Sequence, residues 1–316
     1  MGWGRKAILH RPTRCSVTGV TIGGVDPSRA DPRPYFPPTG KSWRWTMGLR
    51  ALDLSAWLEV DQWRSKDLLR KAALLAEKRS VVVGTSASAS EAGHELWDEV
   101  KGNLAAFHPR LVEARDDALA DRVTGIVADD PDPVVRAASI VQEDLCVLEK
   151  TGDEWILTSA CVCFPSRWSL ASKIGTSMDA IHAPIPLYDS KLARPVNLFF
   201  DRLTPEKPVW RLNWSVLDTD ELSLTDPAER RADSGVTSID DLWFRVERQT
   251  LRRLPHSGAV IFTIRTYVDH LSAILEGDPH RREALRIAFE TIDPETAVYK
   301  GWGHFLEVLR ADLVRP

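Results

Sequence analysis

The chain has 316 residues, 43% hydrophobic and 27% charged, with a formal net charge of −4, a balance that suits one large or two smaller globular domains with a sizeable core. A charge so near neutral gives no field for nucleic acid or an anionic membrane; no run reaches the ~18 apolar residues of a membrane helix, and no basic-then-apolar leader opens the sequence. Cys15, Cys146, Cys161 and Cys163 lack CxxC spacing and read as reduced thiols, so the expectation is a soluble cytoplasmic protein whose partner is a small molecule or another protein.

Residues 1–34 carry Arg5, Lys6, Arg11, Arg14, Arg29 and Arg33 among glycines and prolines. With little periodicity they read as a basic tail or arm, solvated or set against an acidic partner. Residues 35–316 read as a single domain. Asp53 and Ser55, both cap residue types, lead into a helical run through Trp57, Leu58, Trp63, Leu68, Leu69 and Ala72. Val81-Val82-Val83 is a short apolar segment ended by Gly84, and the Ser/Ala-rich residues 85–90 form a loop before a helix over 91–107. A further helix is expected after Pro109, and another at Asp132-Pro133, where Asp suits the N-cap and Pro the first helical position.

From residue 142 the texture changes. Residues 145–148 and 155–164 read as strands joined by a Thr151-Gly152-Asp153 turn. Residues 189–202 form an amphipathic helix, and 209–217, 242–254 and 259–267 give three more strands. Between the first two of these, residues 218–241 make a long polar loop in the position of a lid. From Asp278 the chain returns to helix, interrupted near Tyr299-Lys300-Gly301-Trp302. Helices, a meander of about five strands with a helical crossover, then helices again make an α+β fold built on an antiparallel sheet.

Alternation places polar residues on defined faces. Arg211, Asn213 and Ser215 share one side of their strand, against Trp210, Leu212, Trp214 and Val216 on the other. Arg245, Glu247 and Gln249 share a face, as do Thr263, Arg265 and Tyr267; the three strands together would present an Arg-rich sector with one Glu at its centre. The solvated side of an antiparallel sheet has the same look. However, Arg248 and Arg252 fall among Phe244 and Val246 on the supposed core side, so both faces have an anion to meet.

His182 sits in Ile181-His182-Ala183-Pro184-Ile185-Pro186, just after Lys173, Gly175 and Thr176, which could hold an anionic cofactor edge. A lone histidine beside apolar residues serves either as a hydrogen-bonded core group or as a ligand. No second His, Asp or Glu follows it three or four residues on along the chain for a non-haem metal site, whereas a haem iron needs one protein ligand only. Cys163 reads as a buried structural thiol or, alternatively, a thiolate ligand; His256 reads as a turn histidine. Twelve tryptophans against four tyrosines supply large rings for a core or for the walls of a flat ligand site.

The motifs Trp45-Thr46-Met47-Gly48-Leu49, Gln142-Glu143-Asp144-Leu145, Cys163-Phe164-Pro165-Ser166-Arg167-Trp168, Lys173-Ile174-Gly175, Ile181-His182-Ala183-Pro184, Trp210-Arg211-Leu212-Asn213-Trp214 and the run from Arg245 to Pro255 occur in this order. In them the chain resembles the haem-dependent oxidative N-demethylase α-subunit family, from about Phe36 to Gly301. The resemblance implies a PAS-type haem-binding core elaborated with helices, a haem b held by a histidine, and oxidation of a small amine by dioxygen. It also implies electrons from a separate flavin and iron-sulfur reductase. Carried over residue by residue, His182 matches the iron ligand; Arg211, Arg245 and Glu247 match the polar distal site, with Tyr267 adding a hydrogen bond. Arg167, Lys173 and Arg252 are implied for the propionates, and Trp214 as a further cofactor contact. A haem-PAS gas or redox sensor without turnover is the alternative.

Overall fold

The computed structural model describes residues 35–86, 91–225 and 235–314. The basic arm expected over 1–34 lies outside the described residues, as do 87–90 of the Ser/Ala loop and 226–234 of the polar loop. Ten strands are described: β1 (Arg50–Ala51), β2 (Val83–Thr85), β3 (Val112–Arg115), β4 (Ala118–Asp121), β5 (Val127–Ala128), β6 (Asp144–Thr151), β7 (Glu154–Cys161), β8 (Val209–Leu217), β9 (Trp243–Arg253) and β10 (Val260–His270). A seven-stranded sheet runs β1-β8-β9-β10-β6-β7-β2, and β3-β4-β5 form a separate small sheet. Every pairing is antiparallel.

The five strands read from the sequence are the contiguous block β8-β9-β10-β6-β7, so the five-strand expectation is corrected by the two short strands that edge it. The helix expected after Pro109 is also corrected, because residues 112–128 form the small sheet. Local turn chemistry decides this. Asp116, at φ +50°, opens the two-residue turn between β3 and β4, a conformation Asp tolerates better than most residues. The Asp121 carboxylate then accepts from Thr124 N at 2.8 Å and Val123 N at 3.1 Å, closing the next turn.

Caps fix the helices where Asp precedes Pro. Asp132 accepts from Val134 N at 2.9 Å to start Pro133–Ser139, Asp278 from His280 N at 3.0 Å to start Pro279–Thr291, and Asp293 from Thr296 N at 2.8 Å to start Pro294–Tyr299. Each such cap contributes about 1 kcal/mol. One face of the large sheet packs Leu145, Val147 and Ile261 against the layer holding Trp57, Leu96 and Val134, and Phe244 and Val246 against Phe289, Trp302 and Phe305. The other face, with Cys146, Leu148 and Leu251, is covered by Phe200 and Leu203 at the end of helix Ala193–Arg202. Among the described residues no helix is long and apolar enough to cross a membrane.

Strand register settles which face each polar residue takes. Arg245 pairs with Val268, Glu247 with Thr266 and Gln249 with Ile264. The odd residues of β9 therefore share a face with the even residues of β10. Thr263, Arg265 and Tyr267 lie on the opposite side, which corrects the single Arg-rich sector drawn across three strands. That opposite side carries its own anions: Arg265 meets Asp61 at 2.8 Å and Asp67 at 2.9 Å, Arg248 meets Glu59 at 3.2 Å, and Arg252 meets Glu99 at 2.5 Å.

Candidate cofactor and active site

A cavity of about 530 Å³ opens on the face of the sheet that bears the odd residues of β8 and β9, a volume typical of small-molecule and cofactor sites. The sheet contributes Arg211, Asn213 and Ser215 from β8, Arg245, Glu247 and Gln249 from β9, and Phe262 and Ile264 from β10. Another wall comes from Met178, Ile181 and His182 of helix Met178–His182, with Val196 and Phe199 of the following helix. Its lining is mostly apolar, with Arg211, Arg245 and Glu247 on the sheet side and Arg167, Lys173 and Lys300 from the segments around it.

His182 is brought to this wall by a short, tightly tied segment. Gly175 takes φ +75°, a left-handed turn that suits glycine, and donates to Leu157 O at 2.8 Å while Leu157 N donates to Thr176 O at 3.1 Å. These bonds clip the segment to β7, and the Ser177 hydroxyl accepts from Ala180 N to start the helix. His182 Nδ1 lies 2.8 Å from Met178 O. A carbonyl can only accept, so Nδ1 carries the proton and Nε2 holds the lone pair. Burial, helped by the nearby Lys173 and Arg211 charges, lowers the His182 pKa from its usual 6.5, and the ring is neutral at pH 7. Its orientation is reinforced by Tyr188, stacked at 5.1 Å and 16°. Tyr188 belongs to a single π turn, Tyr188–Leu192, and donates to Asp179, which also accepts from Asn197 at 3.0 Å. A neutral imidazole with its other nitrogen bound to a carbonyl is the state a metal requires.

Glu247 stands among donors on the sheet wall. Arg245 Nε reaches it at 3.2 Å, Asn213 Nδ2 at 3.2 Å and Gln249 Nε2 at 3.0 Å. Arg245 is 1% exposed and also donates to Phe164 O at 2.6 Å and Leu222 O at 3.0 Å, so it anchors the loops at 164 and 222 as well as the carboxylate. Arg211 differs. It has no carboxylate within ion-pair distance among the described residues, and its Nε is buried without a hydrogen-bond partner. Among the described residues its one hydrogen bond, from Nη2 to Thr46 O, is long at 3.5 Å.

Lys300 is a cavity residue that the motif analysis passed over. Its Nζ donates to Trp214 O at 2.8 Å and Asn213 Oδ1 at 3.3 Å, and lies 5.5–5.9 Å from the ring centres of Trp43, Trp45 and Trp302. Burial, with Arg211 adding to it against the pull of Glu247, lowers its pKa from 10.5 to about 8. The one sequence signal was a lysine beside Tyr299 and Trp302 at a helix break.

Of the other residues singled out from sequence, Arg167, Lys173 and Trp214 border the cavity. Arg167 holds φ +59°, an uncommon conformation for a residue other than glycine; its ion pair with Asp218 and its N–H bond to Leu224 O at 2.7 Å maintain it. Lys173 Nζ donates to Ile181 O at 2.9 Å over the Trp168 ring. The Trp214 ring packs among Trp43, Phe244 and Trp302. Tyr267 and Arg252 are not in the lining. Tyr267, on the far face, donates to Glu59, and Arg252 lies over Trp57 at 4.6 Å beside Glu99. Cys163 is buried as a neutral thiol, its pKa raised by a bond with Cys161 and by burial, and His256 lies by Glu95 in a separate surface hollow.

Among the described residues no three His, Cys, Asp or Glu side chains gather as a metal-binding set, so His182 stands as a lone imidazole. An iron already held by a porphyrin needs one such ligand. A largely apolar cavity of cofactor size, a neutral His and basic side chains in its lining together fit a haem. In comparison with known protein families, the model described as "Haem-dependent oxidative N-demethylase, alpha subunit-like" matches residues 48–310.

Proposed function

Since the chain belongs to the haem-dependent oxidative N-demethylase alpha subunit-like family, we propose that His182 holds a haem b in the cavity and that a small amine is oxidised against the sheet wall. The observation that supports this most is His182 itself, a neutral imidazole fixed at Nδ1 by Met178 O and facing a cavity of cofactor size. When bound, the haem would supply oxidation by dioxygen, with electrons from a separate flavin and iron-sulfur reductase acting as the partner that an alpha subunit implies.

The protein's own groups have distinct parts. Tyr188 and Asp179 keep the His182 ring in one orientation, and Lys173, with Arg167 in its ion pair to Asp218, lines the cavity and would meet the cofactor's carboxylates. Arg211 sets a fixed positive charge toward the cavity, where it favours negative charge developing on a reacting oxygen. Glu247, held by Arg245, Asn213 and Gln249, has one lone-pair direction left to accept from a substrate ammonium or to take its proton. Phe262, Ile264 and Leu251 exclude water around it.

The test is Glu247→Gln in the haem-loaded protein supplied with dithionite, dioxygen and dimethylamine, with formaldehyde release as the readout. Wild type should release formaldehyde, and the variant should keep its haem spectrum but lose turnover. Equal turnover would remove Glu247 from the reaction, and a haem-loaded wild type inert toward every small amine would favour a gas-binding protein.

A further inference from the structure

Of the five arginines of β9 and β10, four meet a protein carboxylate, Arg245, Arg248, Arg252 and Arg265, and Arg253 lies over the Trp155 ring at 5.0 Å, outside the cavity lining. Among the described residues Arg211 on β8 meets no carboxylate, and neither does Lys300, whose ammonium donates to Asn213 and is close enough to Arg211 to feel its charge. Two half-buried cations held close together repel each other, and such a pair is favoured where an anion compensates it. Glu247 is the nearest carboxylate, but Arg245 already neutralises it at 3.2 Å. The guanidinium has an Nε–H without a partner among the described residues, the ammonium donates to two acceptors, and both side chains line the cavity.

We infer that Arg211 and Lys300 form a carboxylate-binding subsite inside the cavity, so that the Arg211 charge is directed to an acid group of the ligand rather than to a reacting oxygen. A carboxylate accepts from a guanidinium fork and an ammonium together. The geometry also relates this subsite to the amine position, so the inference rests on the function proposed above. Asn213 pairs with Glu247 and Arg211 with Gln249 across β8 and β9, so Arg211 and Glu247 are diagonal neighbours on one face, about 7–8 Å apart at the backbone. A nitrogen at Glu247 and a carboxylate at Arg211 and Lys300 are then one short molecule apart. The substrate class is an N-methylated amino acid, with amine and acid separated by one or two carbons. A haem propionate carries the same chemistry and is the other source of a carboxylate here.

Three probes distinguish the sources: N-methylglycine, dimethylamine and acetate, titrated into haem-loaded wild type, Arg211→Gln and Lys300→Met and followed by the Soret band and by calorimetry. The expected result is N-methylglycine binding at least tenfold tighter than dimethylamine in wild type, with that gap closing in either variant. If instead wild type shows no gap, but either variant loses haem affinity by tenfold or more, the carboxylate is a propionate and the amino-acid class is withdrawn. Equal haem affinity and no gap in any protein would overturn the subsite. Circular dichroism melts of both variants separate loss of binding from loss of fold. Dimethylamine binding without any carboxylate preference would leave the proposed amine oxidation standing, and failure to take up haem at all would count against that reading. In that case calorimetry of acetate against the haem-free chain still decides the subsite: binding lost in both variants supports it, and no binding overturns it.

Discussion

Replacing Lys300 with Met should make the stability difference between variant and wild type depend on pH. In the folded chain the ammonium is disfavoured, its pKa lowered from 10.5 to about 8. At 1.36 kcal/mol per unit the full shift would amount to roughly 3 kcal/mol. The Trp43, Trp45 and Trp302 rings and the Trp214 carbonyl favour the charged form, and Lys300 is only half-buried, so a net value of roughly 2 kcal/mol is a better expectation. Below about pH 8 both folded and unfolded chains carry the proton, and the wild type bears the whole penalty. Between about pH 8 and 10.5 the unfolded chain holds a proton that the folded chain has shed. Stability of the wild type therefore rises with pH relative to Lys300→Met, and the penalty vanishes above that window. Urea unfolding of both proteins at about pH 7 and about pH 9.5 should show the difference moving by roughly 1 kcal/mol or more toward the wild type. A difference constant to within about 0.3 kcal/mol, or one moving the other way, would refute the placement of an enclosed lysine beside Arg211.

Two further substitutions probe the supports of the site. Asp144 accepts from Cys163 N at 2.9 Å and Phe164 N at 2.8 Å and lies 3.9 Å from the buried Lys71 ammonium; Asp144→Ala leaves that ammonium uncompensated and should cost about 3–5 kcal/mol in urea unfolding. A loss below about 1 kcal/mol would contradict the role given to this carboxylate. Gly175→Ala puts a side chain at φ +75°, where nothing crowds it but the backbone itself is strained. It should lower stability by about 1–2 kcal/mol and weaken haem uptake measurably, because this turn positions His182; unchanged haem affinity would separate the turn from the site.

The β8 strand and the sides of its residues were legible because strict alternation of Trp and Leu with Arg and Asn admits one reading. Facing between strands was not. Whether Tyr267 lies with Glu247 or against it depends on how many residues the turn between β9 and β10 holds, and Arg253 pairing with Val260 makes odd face even. The short strands β1 and β2 carry too few residues for any periodicity, and the β3-β4 hairpin, where a helix was expected after Pro109, rests on the left-handed conformation of Asp116, which leaves no periodic signal. His182 could be singled out by its Ile-His-x-Pro setting, but its tautomer follows from a carbonyl one helical turn back. Lys300 was hidden because its place depends on aromatic packing between segments more than 250 residues apart in sequence, Trp43 and Trp302 being in edge contact at 5.6 Å.

The central claim is that His182 binds haem iron, and absorption spectra of wild type and His182→Ala test it most directly. Both proteins would be expressed with haem supplied and read oxidised, then dithionite-reduced with and without carbon monoxide. A Soret band in wild type that is lost or displaced in His182→Ala, and restored toward the wild-type position by added imidazole, is the predicted result. Identical haem spectra in the two proteins, or no haem in either, would contradict it.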